Sequence, residues 1–237
     1  MKIVSIGCSF TEGQGLERQA FECYTTKLSE KFHKQGINFG SCGASNDYIF
    51  RKTFELLENK TIEKEDILLI QWTHYNRKEL PFYYNKKKFY HYAPNSFWPY
   101  DDKILLNDGC SIKNENYNYD LADLKKEIEK NNTDLIKKYI LQFLYDEYQI
   151  ITTKNYINSL YTYLQHFGYQ HIHFFGWKDC VIKDINQNKK YFLNDNFGEF
   201  TNTIENHHPD KKGHLNWANY LYEKIKEFNF NTKINLI

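Results

Sequence analysis

Apolar residues along this chain follow two different spacings. Four short apolar runs have the length of buried strands and predict strands at residues 3–6, 37–40, 66–72 and 171–175. Apolar residues three and four positions apart predict helices at residues 20–33, 47–57, 121–130, 134–167 and 210–228. Alternating strands and helices are typical of βαβ crossovers, so we predict an α/β three-layer sandwich around a central, mainly parallel sheet.

The regular alternation stops between residues 80 and 120, where the sequence is rich in Tyr, Asn and Lys. Only residues 89–92 have the pattern of a short hairpin strand. Long irregular connections usually form lids or binding loops, or stay disordered. We predict a single domain over residues 1–237 with an aromatic-rich insertion at about 80–120. The insertion is expected to form a substrate wall, a satellite apolar patch or a dimer contact.

Charge and cysteine content exclude several classes of protein. Lys and Arg total 31 and Asp and Glu total 30, giving a net charge of +1, so a nucleic-acid or anionic-membrane partner is not predicted. The five cysteines are odd in number and form no Cys-x-x-Cys pair, which argues against a disulfide framework or a zinc ribbon. Neither a signal peptide nor a long apolar run is found, so we predict a cytoplasmic protein with no membrane association.

Three small or polar segments follow the first three predicted strands, at the sheet edge where parallel sheets bind ligands. They are Gly7-Cys8-Ser9-Phe10-Thr11-Glu12-Gly13, Gly40-Ser41-Cys42-Gly43-Ala44-Ser45-Asn46 and Trp72-Thr73-His74-Tyr75-Asn76-Arg77. Ser9 either meets a substrate there or caps the following helix. The glycine-rich second segment would let backbone N–H groups approach developing negative charge.

A fourth segment, Glu205-Asn206-His207-His208-Pro209-Asp210, lies directly before the last predicted helix. A serine nucleophile needs a base, usually histidine, and a carboxylate that orients the histidine. Glu205 lies three residues before His208 and is within reach of it. His207, His208 and His214 could instead be metal ligands. However, they lack the His-Glu-x-x-His spacing and a companion thiol pair, so neither a metal nor a cofactor is predicted.

Taken in order, these segments resemble the conserved blocks of the SGNH hydrolase superfamily, also called GDSL-like esterases. Ile6-Gly7-Cys8-Ser9-Phe10-Thr11-Glu12-Gly13 resembles the first block, which implies that Ser9 is the nucleophile. The segment from Asn38 to Ser45 resembles the second block, which implies that the Gly43 N–H joins that of Ser9 in an oxyanion hole. His208-Pro209-Asp210, with Gly213 and a closing helix, resembles the last block and implies that His208 is the base.

Three positions depart from the pattern of that superfamily. Cys8 replaces the aspartate beside the nucleophile, and Glu205 occupies the position of the triad aspartate, so a serine–histidine dyad stays open. The Gly-x-Asn-Asp of the third block is absent. Strand alignment therefore makes Asn76, or His74 in a shifted register, the oxyanion-hole side chain.

The resemblance implies a flavodoxin-like SGNH fold and an esterase that works through an acyl-serine intermediate. We expect an O-acetyl carbohydrate or another small polar ester as substrate, with Trp72, Tyr83 and Trp98 as substrate contacts. The alternatives are a non-catalytic binding or structural protein on the same scaffold, and an O-acyltransferase. No oligomeric state is predicted.

Overall fold

The computed structural model describes residues 1–84, 87–93, 112–113, 146–200, 204–205 and 208–230. The strands are β1 (Lys2–Gly7), β2 (Gln35–Gly40), β3 (Ile67–Trp72), β4 (Lys78–Tyr84), β5 (Lys87–Ala93), β6 (Ile112–Lys113), β7 (Gln170–Phe175), β8 (Ile204–Glu205) and β9 (His208–Pro209). The helices are α1 (Ser9–Glu12), α2 (Gln19–Glu22), α3 (Tyr24–Phe32), α4 (Asn46–Glu58), α5 (Asp146–Phe167) and α6 (Lys211–Glu227).

The central sheet is parallel and has the strand order β2-β1-β3-β7. Every residue of β3 is buried, and so are the residues of β1 and β7 after the first. Strands that are covered on both faces read as continuous apolar runs, which is why the sequence pattern located them. The chain leaves β1 toward β2 on one side and reaches β3 on the other. The carboxyl end of β1 therefore lies at a switch point in strand order, where open sheets bind ligands.

Helices cover the sheet in two pairs. α3 connects β1 to β2, and α4 connects β2 to β3 in the opposite direction across the sheet. Right-handed crossovers that run in opposite directions place their helices on opposite faces. α3 packs against α6 and α4 packs against α5, which completes the two outer layers. The predicted α/β sandwich with a parallel central sheet is thus confirmed.

Two helices differ from the prediction. The helix predicted at 20–33 is interrupted at Cys23, whose extended backbone (φ −65°, ψ 153°) separates α2 from α3. The apolar spacing that predicts the helix at 210–228 includes Leu215 and so predicts it on the buried face. Leu215 is instead 43% exposed, whereas His214 and Trp217 are fully buried. The inward face of α6 is formed by Trp217, Ala218, Leu221 and Ile225. The prediction for Leu215 was wrong because the pattern was fitted to aliphatic residues and passed over a histidine and a tryptophan.

The insertion begins with regular structure. β4 and β5 form an antiparallel hairpin, to which β6 is added, and the short strand predicted at 89–92 lies within β5. The helix predicted at 121–130 and the first part of the one predicted at 134–167 lie outside the described residues. In the described part of the chain, the structure contains no helix that is both long and apolar enough to cross a membrane.

Three histidines are buried in the core as neutral rings. The Nδ1 of His173 accepts a hydrogen bond from the Trp72 indole at 3.0 Å, and the Nδ1 of His214 accepts one from the Tyr24 N–H at 3.1 Å. Burial lowers the pKa of His171 to about 4 and that of His214 to about 3, and also lowers the pKa of His173. Protonation would place a charge in the core and remove the acceptor that two of these rings provide.

This histidine burial predicts loss of stability in mild acid. The folded-state pKa values lie below the ordinary value of 6.5, so the unfolded chain takes up protons first as the pH falls. Stability should therefore be complete above about pH 6.5 and fall between there and pH 4, by about 1.4 kcal/mol per pH unit for each histidine. Urea unfolding at several pH values would measure the slope. His171→Gln should reduce it, whereas His166→Gln, at an exposed position, should not. Equal slopes in wild type and His171→Gln would contradict the assignment.

Candidate active site

Ser9 lies in a tight turn at the carboxyl end of β1. Cys8 is the N-cap of α1, and Ser9 is the first residue of this single helical turn. The turn ends at Gly13, whose φ of 88° lies in the left-handed region that favours glycine. The Gly13 N–H donates a hydrogen bond to the Ser9 carbonyl at 3.0 Å. Because first-turn N–H groups have no partner within their helix, the Ser9 N–H is available to a ligand at the start of this turn. Ser9 is 3% exposed, so its side chain is nearly buried.

Two glycines make room for this turn. A Cβ at Gly7 would lie 2.2 Å from the Thr11 Oγ1, and one at Gly40 would lie 2.2 Å from the backbone nitrogen of Glu12. Asn38 fixes the same contact from β2, since its amide donates to the Thr11 carbonyl at 2.7 Å and accepts from the Gly40 N–H at 2.8 Å. The end of β2 therefore packs directly against the backbone of α1.

A buried row of polar side chains lies beneath the turn. The Gln71 amide of β3 donates to the Cys8 sulfur at 2.9 Å and accepts from the Thr11 hydroxyl at 2.5 Å. Thr11 also contacts the Tyr24 hydroxyl at 3.1 Å. Burial raises the pKa of Tyr24, so this hydroxyl stays protonated. Cys8, which replaces the aspartate of the superfamily pattern, is thus fully buried and faces Gln71.

His208 is the residue that meets Ser9. Its Nε2 lies 2.9 Å from the Ser9 Oγ, a hydrogen-bonding distance between a hydroxyl and a ring nitrogen that can take its proton. β9 places this histidine one turn before α6, whose N-cap Asp210 accepts from the Gly213 N–H at 2.6 Å. The Phe10 ring packs edge-on against the imidazole with centroids 5.5 Å apart. His214, the histidine six residues further along the chain, is fully buried, and its Nδ1 accepts a hydrogen bond from the Tyr24 N–H instead.

Glu205 and His208 lie opposite each other in the β8–β9 ladder. The ladder brings their backbones together, as their spacing in the sequence suggested. The Glu205 side chain and His207 lie outside the described side chains, so the assignment of Glu205 as the triad acid stays a prediction.

The segments after β2 and β3 flank Ser9. Gly43 has a φ of 72°, a conformation that favours glycine, and no described residue accepts a hydrogen bond from its N–H. After β3, the His74 Nδ1 accepts from the Asn76 N–H at 3.2 Å, which puts the ring proton on Nε2 in the neutral form. His74 and Asn76 are both half-buried. Each side chain carries an N–H donor, so both stay candidates for the oxyanion-hole position.

The predicted substrate contacts need correction at Trp72. This side chain is fully buried in β3, donates its indole N–H to His173 and stacks on that ring with centroids 5.9 Å apart. It is a core residue that offers no surface to a substrate. Tyr83 lies in β4, but its side chain is outside the described residues, and Trp98 lies outside them altogether.

Metal ligands do not come together in the described part of the chain. No group of three or more His, Cys, Asp or Glu side chains there is close enough to hold an ion.

Similarity to known proteins is structural. No family model matches the sequence, and no curated protein matches it. The psychrotrophic esterase EstA from Pseudoalteromonas sp., in a structure inhibited by monoethylphosphonate, superposes with a TM-score of 0.50 at 11% identity, over 96% of this chain and 97% of that one. A protein from Desulfitobacterium hafniense DCB-2 assigned to the lipolytic G-D-S-L family superposes with a TM-score of 0.45 at 13% identity, over 94% and 98%.

The chain has the SGNH hydrolase fold. The likeness to the esterase and the all-parallel central sheet between helical layers support this assignment. At 11% identity the likeness establishes the fold alone.

Within this SGNH fold, sequence reasoning missed one aromatic residue at the rim. Trp177 follows β7 at the same edge of the sheet and is half-buried. Its ring centroid lies 5.0 Å from that of Phe10 and 5.0 Å from the Cζ of the Arg77 guanidinium. The strand-end rule, applied to the fourth strand as it was to the first three, would have located it.

The arrangement can perform nucleophilic chemistry. A hydroxyl, a base within hydrogen-bonding distance and outward-facing backbone N–H groups are the parts that acyl transfer to serine requires. The hydroxyl and the base meet at the carboxyl end of β1.

Proposed function

We propose that this protein is a serine hydrolase that cleaves a small ester through an acyl-serine intermediate. The observation that carries the proposal is the 2.9 Å contact between the Ser9 Oγ and the His208 Nε2 at the switch point of the sheet. These residues lie 199 positions apart in the chain, and their side chains meet in a partly buried contact.

In the proposed reaction, the Ser9 Oγ attacks the ester carbonyl carbon while His208 takes its proton. The oxyanion accepts hydrogen bonds from the N–H groups of Ser9 and Gly43 and from a side chain of the loop after β3. As the intermediate collapses, His208 gives the proton to the leaving alcohol. Water then attacks the acyl-serine with His208 again as base, which releases the acid and restores Ser9.

Narrow access to the nucleophile favours a short acyl group. Ser9 is 3% exposed, and the adjacent Phe10 packs against Trp177, so we expect that a long acyl chain would have to displace aromatic side chains. This supports the acetyl esters expected from the sequence. Trp177, rather than Trp72, is our proposed substrate contact among the described residues.

Replacing Ser9 tests the nucleophile. Ser9→Ala should abolish fluorophosphonate labelling and lower the turnover of p-nitrophenyl acetate by at least about a thousandfold, because the covalent step is lost. His208→Ala should cause a similar loss. Labelling is read by mass spectrometry and turnover by released p-nitrophenol. Ser159→Ala, at an exposed position on α5, is the matched control and should behave as wild type. Undiminished turnover in Ser9→Ala would disprove this assignment, and an unlabelled, inactive wild type would favour a non-catalytic scaffold.

Two further variants identify the oxyanion side chain. Either His74→Ala or Asn76→Ala should lower kcat by about 100–1,000-fold while leaving KM little changed, as expected when one oxyanion donor is lost. The other substitution should have a much smaller effect. Steady-state kinetics on p-nitrophenyl acetate measure kcat and KM of each variant separately. Full kcat in both variants would mean that backbone N–H groups alone form the hole.

Acyl length tests the narrow access to the nucleophile. Acetate should be preferred over octanoate by at least about tenfold in kcat/KM, since a long chain must displace packed side chains. Values of kcat/KM for a series of p-nitrophenyl esters from C2 to C8 give the comparison. Trp177→Ala should reduce the difference in kcat/KM between short and long esters. A preference for octanoate in wild type would contradict the proposal. Acyl transfer to an added sugar that exceeds hydrolysis would identify an O-acyltransferase instead.

A further inference from the structure

The loop that would supply the oxyanion side chain is held by one buried asparagine. Asn46 is the first residue of α4 and is 2% exposed. Its Oδ1 accepts from the Thr73 N–H at 2.9 Å, and its Nδ2 donates to the Thr73 carbonyl at 3.0 Å. One side-chain amide therefore pairs with both backbone groups of the same residue, as a neighbouring strand would. Thr73 is the first residue after β3.

This pairing joins the two loops on either side of Ser9. Asn46 follows Gly43 by three residues, and Thr73 precedes His74 and Asn76. Ser45 fixes the start of α4, since its hydroxyl accepts from the Tyr48 N–H at 3.2 Å. The position of Asn46 is thus set by the helix, and Thr73 is set by Asn46. The two hydrogen bonds between Asn46 and Thr73 therefore link the two loops that flank the nucleophile.

We propose that Asn46 is a positioning residue, which holds the loop of residues 73–77 at the distance from Gly43 that an oxyanion hole requires. The catalytic part of this inference rests on the proposed function. Asn46 does not touch the substrate. It acts through Thr73 on the side chains of His74 and Asn76. A displacement of about 1 Å in such a group is enough to cost about a hundredfold in rate.

The energetics favour a specific role over general stabilisation. A buried amide with both of its polar atoms bonded contributes only modestly to folding, but leaving its partners unpaired is costly. The Thr73 backbone groups have no solvent replacement, since Thr73 is fully buried. If the Asn46 amide is removed, the loop is expected to move until water or another polar group forms hydrogen bonds with the Thr73 N–H and carbonyl.

Kinetics on two variants test the inference. Asn46→Ala should lower kcat for p-nitrophenyl acetate by about 100-fold with KM changed less than about threefold, because positioning is lost and binding is not. Asn46→Asp keeps the acceptor for the Thr73 N–H but replaces the donor. Its kcat should lie between those of wild type and Asn46→Ala, or be as low as that of Asn46→Ala. Should the alanine variant fail to fold, the aspartate variant carries the test. Assays are run well below the melting temperature of each variant.

A matched control separates positioning from packing. The third bond of Asn46 runs from its Nδ2 to the Thr153 hydroxyl of α5 at 3.3 Å. Thr153→Val removes that bond, keeps the side-chain shape and leaves the Thr73 pairing intact. It should retain wild-type kcat within about twofold, whatever it does to stability. Wild-type kcat in Asn46→Ala, or an equal loss of kcat in Thr153→Val, would overturn the inference.

Hydrogen exchange distinguishes failure of this inference from failure of the proposed function. In Asn46→Ala the amides of residues 73–77 should exchange about tenfold faster, as expected for the loss of a protecting hydrogen bond, while those of β7 should not change. This readout does not depend on turnover. An inactive wild type with the predicted exchange would reject the esterase but support the positioning by Asn46. Unchanged exchange would reject that positioning.

Discussion

The contact between the end of β2 and the backbone of α1 sets the geometry of the whole site. A Cβ at Gly40 would lie 2.2 Å from the Glu12 nitrogen and 2.7 Å from its Cα, so any side chain there would push the turn away from the sheet. Backbone cannot rotate aside as a flexible side chain can. Because α1 is seated on β2, the Ser9 hydroxyl is raised directly beyond β1, where His208 reaches it from β9.

The same close packing explains the polar row beneath the turn. Once the turn lies on the strand ends, its inward side chains are buried and must be paired with one another. Gln71 satisfies Cys8 and Thr11, and Thr11 meets Tyr24. The glycine that follows β7 belongs to this arrangement too, since a Cβ at Gly176 would lie 2.5 Å from the Gln71 amide. The Gln71 N–H that donates to the Cys8 sulfur is also a donor that a carboxylate at this position could accept.

The elements that the sequence pattern located are those that burial alone determines. Buried strands and the strand-end rule were enough to place Ser9, Gly43 and the loop after β3 at one edge of the sheet. The pairing of Ser9 with His208 needed the superfamily resemblance, because nothing local to either residue specifies a partner 199 positions away.

Other features could not be predicted for physical reasons. Trp72 was taken for a substrate contact because a strand buried on both faces shows no alternation that would reveal which way its last side chain points. Asn46 gives no pattern at all, since its role comes from two backbone groups of Thr73. The sequence does not distinguish a buried histidine such as His214 from a catalytic one. The hydrogen bond that its ring accepts from the Tyr24 N–H makes the distinction in the structure.

The position of His208 is determined by backbone structure more than by charge. The Lys211 Nζ lies 2.8 Å from the Glu22 Oε1 and links the start of α6 to α2. However, the Lys211 side chain is 66% exposed, and ion pairs of that kind contribute little. The Asp210 cap contributes about 1 kcal/mol to the helix start. A Cβ at Gly15 would lie 3.8 Å from the His208 Cβ, so the loop after α1 closely borders the base. The loop that follows the nucleophile turn thus also packs next to the histidine. The position of the base therefore depends on how α1 packs against β2.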